Sequence, residues 1–163
     1  GWYNQETTAV RALKGDPKLK KWLPHARNYL KLLYCSYHFA RPYLTYGRML
    51  RPPRIEGELP TVHIESPRGS WRVSALDASA WQAPDDSVGV FILNYDQKQA
   101  HEFSWIVDLK EGAGWSADTR VILSKWTREE GITRLGAVAG GMLRRQERIE
   151  PWELIALKLQ ATN

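Results

Sequence analysis

A single cysteine, Cys35, stands in 163 residues, which excludes an internal disulfide and any metal cage built from thiolates alone. Long apolar runs are missing too. No stretch approaches the ~20 residues that a membrane-spanning helix needs, and no charged start leads into an unbroken apolar run of the kind that marks a secretory signal. The sequence therefore predicts no membrane partner and assigns no compartment. Acidic residues are scarce in the first third: residues 1–54 carry eleven Lys and Arg against Glu6 and Asp16 alone, a net of +9, whereas residues 55–163 net −4. Clustered positive charge attracts polyanions, but zinc-finger spacing, a paired RNP signature and a helix-turn-helix pattern are all lacking. Nucleic acid is not an expected partner.

What is present is apolar and aromatic. Hydrophobic residues make up 43% of the chain, with eight Trp, seven Tyr and three Phe, enough for one core with a helix appended. Between residues 22 and 40, Trp22, Ala26, Tyr29, Leu30, Leu33, Tyr37 and Ala40 recur at offsets of three and four and form one helical stripe. Leu32, Cys35 and Phe39 lie on a second side. A helix apolar on two sides is packed between two layers, and where one side is bare it favours self-association. Arg41-Pro42 should end this helix, because the residue before proline is pushed out of the helical region.

From there the rhythm changes to short β-rich segments at 43–50, 61–65, 73–81, 88–95, 101–109, 120–126, 132–135, 142–147 and 152–159, separated by Pro, Gly and acidic turns. Residues 88–95 are apolar on both faces and read as a central strand. Phe103, Trp105, Val107 and Leu109 alternate inward. The prediction is a mainly β chain: an antiparallel β-sandwich of about eight strands (42–163), preceded by an N-terminal α-helical segment (1–41).

Candidate chemistry is thin. Glycoside hydrolysis needs two carboxyl groups about 5–10 Å apart; Asp85-Asp86 and Glu129-Glu130 are each adjacent in a turn and point into water. Cys35 and His38, three apart on the helix, supply only two ligands, so neither a metal nor a cofactor is expected. Nothing near Cys35 lowers its pKa for nucleophilic work. The run Gly136-Ala137-Val138-Ala139-Gly140-Gly141 lacks the Lys-Ser/Thr of a phosphate loop and reads as a flexible turn. Arg41, Arg48, Arg51 and Arg54 form a cationic edge that blunts strand pairing or faces another domain. Exposed indoles stack on the apolar faces of sugars, so Trp71, Trp81, Trp115 and Trp126 are the carbohydrate-contact candidates, while Trp105 belongs to the core.

The stretch Tyr43-Leu44-Thr45-Tyr46-Gly47-Arg48-Met49-Leu50-Arg51-Pro52-Pro53, followed by Ala78-Ser79-Ala80-Trp81-Gln82-Ala83-Pro84-Asp85-Asp86 and a strand ending in Asn94, resembles the carboxy-terminal part of bacterial glycoside-hydrolase-like proteins, including a family of uncharacterised function. The proline-led segment at Pro151 matches their final strand. Asp86 departs from the pattern by replacing a turn glycine, a change that Asp tolerates. The resemblance covers roughly residues 25–160 and implies that residues 1–41 contain the last helix of a catalytic barrel, with a supporting β-domain after it. It carries no catalytic residue onto this chain, because the family's catalytic carboxylates lie on barrel strands ahead of this region. The expected function is thus a non-catalytic accessory domain whose partner is the barrel of a larger chain. The alternative is a carbohydrate-binding module working through exposed Trp residues. A third expectation is a homo-oligomer formed through the bare side of the helix.

Overall fold

A computed structural model describes residue 30 and residues 33–66, 69–127 and 130–162. The chain divides into two units, Gly1–Phe39 and Ala40–Asn163. In the first, residues 33–35 are α-helical and lead into a π-helical turn, Ser36–Ala40. Residues 22–29 of the expected helix lie outside the described residues.

Arg41-Pro42 does not end the helical path as its sequence suggests. A four-residue helix, α1 (Arg41–Leu44), starts there with Pro42 in its first turn. Proline cannot donate to the preceding turn, yet it suits a first-turn position, where no intrahelical donor is required. The chain therefore widens into the π-turn and begins a new helix instead of leaving helical geometry.

Eleven strands follow among the described residues, where about eight are expected. They are β1 (Arg48–Met49), β2 (Arg54–Glu56), β3 (Thr61–Ser66), β4 (Gly69–Ser74), β5 (Leu76–Gln82), β6 (Val88–Asn94), β7 (His101–Asp108), β8 (Arg120–Thr127), β9 (Gly131–Ala139), β10 (Met142–Ile149) and β11 (Leu154–Thr162). The expected strand over 43–50 shrinks to β1, because α1 takes its first residues. The expected strand over 73–81 is two strands, broken at the fully buried Ala75.

All pairings are antiparallel, and the fold is a β-sandwich. A six-stranded sheet runs β1-β5-β6-β11-β8-β9, and a three-stranded sheet runs β10-β7-β2. The β3–β4 hairpin forms a separate two-stranded ribbon. Side chains from both larger sheets make the core: Val88, Val90 and Ile92 of β6, Ile155, Leu157 and Leu159 of β11, and Phe103, Trp105 and Val107 of β7 all belong to one buried cluster. The expected alternation on β7 is therefore met. A short helix, α2 (Leu109–Ala113), closes β7; the Asp108 carboxylate caps it by accepting from the Glu111 N–H, which satisfies an otherwise orphaned donor.

Strand β6 is buried on both faces, as its apolar run predicts. Its outer face is covered by Tyr43 of α1. The Tyr43 ring meets Phe91 edge-on at 5.8 Å, and its hydroxyl hydrogen-bonds Ser87 Oγ at 2.9 Å. Gly89 makes room for that ring: a Cβ there would lie 2.7 Å from Tyr43 Cγ and 2.9 Å from Phe91 Cε2. Replacing Gly89 with Ala should cost about 1–3 kcal/mol by overpacking, seen as a lower urea midpoint with an unchanged slope. An unaltered midpoint would mean that Tyr43 does not sit on this strand.

The run 136–141 is not a flexible turn. Gly136 to Ala139 are part of β9, and only Gly140 and Gly141 turn the chain. A bulge explains the misreading. Leu123 pairs with Gly136 while Ser124 pairs with Arg134, so Leu135 is the extra residue, and Gly136 adopts φ 148 beside it, a conformation open to glycine.

Candidate functional site

The Pro-Asp-Asp turn and its neighbours form a connected polar group on the sandwich. Ser87 Oγ donates to Asp85 Oδ1 at 2.6 Å and the Ser87 N–H donates to the same oxygen at 3.1 Å, while Lys158 Nζ stands 3.5 Å from Asp85 Oδ2. Because the Ser87 hydroxyl proton points at Asp85, the Tyr43 hydroxyl is the donor to Ser87. Burial pushes the Tyr43 phenol up to about 12, with the charge of Asp85 adding to the effect. Partial burial disfavours the Asp85 charge, but the hydrogen bonds from Ser87 and the nearby Lys158 outweigh it and hold the carboxyl below its ordinary value. Asp86 takes φ 60, the left-handed geometry for which Asp is a tolerable substitute for glycine. These residues fix a turn and seat α1. They do not present a reacting pair.

Two of the open depressions among the described residues lie on the β-domain. The smaller, about 190 Å³, is lined by Arg51, Pro52, Arg54, Ile106, Asp108, Glu111 and Met142. Both of its carboxylates are engaged: Asp108 caps α2, and Glu111 pairs with Arg51 at 3.1 Å. The larger, about 550 Å³, lies where the β3–β4 hairpin meets the sandwich and is lined by Trp71, Val73, Ser74, Leu76, Asp77 and Tyr95. It holds one carboxylate.

The four candidate indoles are placed on different elements. Trp71, on β4, is 47% exposed and lines the larger depression. Trp81, on β5, is half-buried, and its Nε1 is enclosed with no acceptor among the described residues. Trp126, on β8, is also half-buried, opposite Ala156 and Ile132. Trp115 follows α2 and belongs to the core cluster, held by its N–H to Leu109 O and by its carbonyl accepting from Gly141. Trp71 thus stands apart as the exposed member of the four.

No protein-family model matches this chain. No curated protein matches it either. Among solved structures it is similar in part to CelM2, a bifunctional glucanase-xylanase from a metagenome library, at 14% identity and a TM-score of 0.35, over 58% of this chain and 18% of that one. An arabinofuranosidase matches at 15% identity and a TM-score of 0.35, over 63% of this chain and 24% of its own. A Paenibacillus polymyxa xyloglucanase from GH family 44 matches at 14% identity and a TM-score of 0.33, over 58% and 19%. The chain spans less than a quarter of the length of each. Likeness at this level identifies no family.

The remaining candidates resolve into local structure. The expected cationic edge is largely engaged within the chain. Arg41 Nη2 donates to the Tyr46 hydroxyl at 2.9 Å, and its guanidinium lies 5.5 Å from the centre of that ring. Arg48 donates to Gln82 Oε1 at 2.7 Å and to Gly112 O at 3.1 Å. Cys35 is buried, whereas His38 is exposed beside Tyr34 and Tyr37. Burial pushes the Cys35 thiol up to about 12, far from a reactive thiolate. Glu129 lies outside the described residues, and Glu130 is an exposed turn residue bonded to Thr133. Asp77 and Tyr95 are absent from the sequence-derived candidates. Tyr95 follows the strand-ending Asn94, and Asp77 sits one residue into β5, so neither carries a local signal.

Proposed function

We propose that the chain is a non-catalytic accessory β-sandwich domain of a glycoside-hydrolase-like protein, packing against and stabilising a catalytic barrel. The observation that carries this reading is the entry segment. Leu44, Tyr46 and Met49 are 43%, 60% and 54% exposed, although the backbone that bears them is packed against the sandwich. Tyr43 seats α1 on β6, and Gly47 is pressed so tightly that a Cβ would lie 2.6 Å from the Gln82 carbonyl oxygen. Large apolar side chains fixed in place at a surface are what an adjoining domain buries. The sequence resemblance of 43–53 to a barrel-to-sandwich junction supports the same reading. So do the engaged acids: the two carboxylates that share the smaller depression serve as a helix cap and an ion pair, whereas hydrolysis of a glycosidic bond needs two that face a substrate.

The test compares the full-length gene product with a form carrying Leu44→Asp, Tyr46→Asp and Met49→Asp. The expected result is a lower melting temperature of the barrel, with glycoside hydrolysis per folded molecule retained. Hydrolysis of aryl glycosides by the purified chain alone, abolished by changing one of its acids, would overturn the proposal.

A further inference from the structure

We propose that the depression at the root of the β3–β4 hairpin is a carbohydrate site, in which a pyranose ring stacks on Trp71 and its hydroxyls bond to Asp77, Tyr95 and Ser74. This goes beyond the domain's supporting role and does not depend on it. The framework of the site is fixed. The N–H of Ala75, a fully buried residue between β4 and β5, donates to Pro60 O at 2.8 Å, and its carbonyl accepts from the Tyr95 N–H at 2.7 Å. That clasp ties the base of the hairpin to the end of β6 and brings Trp71, Asp77 and Tyr95, 24 residues apart at their widest, to one hollow.

Each wall suits one face of a sugar. The half-exposed Trp71 indole, with Val73 and Leu76, offers apolar surface to the C–H face of a ring. Asp77 is exposed, and its Oδ1 accepts from the Ala78 N–H at 3.0 Å, which orients the carboxylate and leaves Oδ2 to accept from ring hydroxyls. Tyr95 is half-buried, and burial together with the Asp77 charge raises its phenol, so the hydroxyl stays protonated and able to donate. At about 550 Å³ the hollow falls within the ~300–1,000 Å³ range of small-ligand sites. It is open rather than enclosed, which fits one residue of a longer chain lying across it. An organic cation would use only the rings and the acid and would leave the Ser74 and Tyr95 hydroxyls without a role.

Calorimetric titration of the whole chain with cellohexaose and xylohexaose, flat β-linked probes, tests the proposal, with tetramethylammonium as the competing probe. Binding of at least one oligosaccharide is expected. Trp71→Ala should weaken it about tenfold or more, the size of one lost aromatic contact, Trp71→Phe should restore part of it, and Asp77→Asn should weaken it without changing the fold seen by circular dichroism. The Trp71 indole N–H resonance, assigned by its loss in Trp71→Phe, should shift on titration. No heat from either sugar with a folded protein, undiminished binding by Trp71→Ala, or heat from tetramethylammonium alone would each overturn it.

Discussion

Replacing Trp105 with Ala should destabilise the domain by about 3–5 kcal/mol, a large share of the ~5–15 kcal/mol that holds a typical domain folded. Trp105 is fully buried on β7, between Arg145 on β10 and Ile55 on β2, so the middle strand of the three-stranded sheet places its largest side chain against the six-stranded sheet. Removing it empties the centre of the cluster, and the flanking strands cannot collapse without losing their ladders. The Trp105 indole N–H has no acceptor among the described residues, so part of its contribution is offset by an enclosed donor. Trp105→Phe should therefore cost less than half as much as Ala, because it keeps a ring and removes that donor. Urea unfolding followed by far-ultraviolet circular dichroism measures both. Equal losses for Phe and Ala would show that a ring at this position contributes nothing to the core.

Replacing Asn94 with Ala should cost about 3 kcal/mol, for a different reason. Asn94 is fully buried at the end of β6, and its side chain joins three segments. Its amide donates to Gln99 O and to Glu150 O, each at 3.0 Å, and its oxygen accepts from the Asp96 N–H at 2.8 Å. Alanine leaves those backbone groups without their partner, at about 1–3 kcal/mol for each one that stays buried. Asn94→Asp should be no better than Ala at neutral pH, since a carboxylate oxygen would then face two carbonyls that need a donor. A near-normal midpoint for the Asp variant would indicate that water or a rearranged loop serves those carbonyls instead.

The same two residues show how legible the fold is. Trp105 was readable because a strand's period of two is local: Phe103, Trp105 and Val107 fall on one face of β7 and are buried, while Leu109, expected as the fourth, is buried as the first residue of α2. Asn94 was readable as the end of a patterned strand, while its purpose was not, because its acceptor on Glu150 is 56 residues away. Strand boundaries were misread where proline and glycine behave differently in context. Pro42 begins a helical turn rather than ending one, and Gly136 makes a bulge inside a strand rather than a loop. The candidate site was the least legible part. Four Trp residues look alike in sequence, but only burial separates Trp115 in the core from Trp71 at the surface.

The residues in order determined the class of the protein: turn residues at short intervals, alternating and doubly apolar strands, and a helical lead-in leave an antiparallel sandwich as the arrangement that gives a chain of 43% hydrophobic content a buried core. Tertiary structure alone decided which polar and aromatic groups meet. Sheet order, the Ala75 clasp and the Tyr43 staple set those meetings, and each depends on contacts between positions far apart in the chain, where local propensity carries no information.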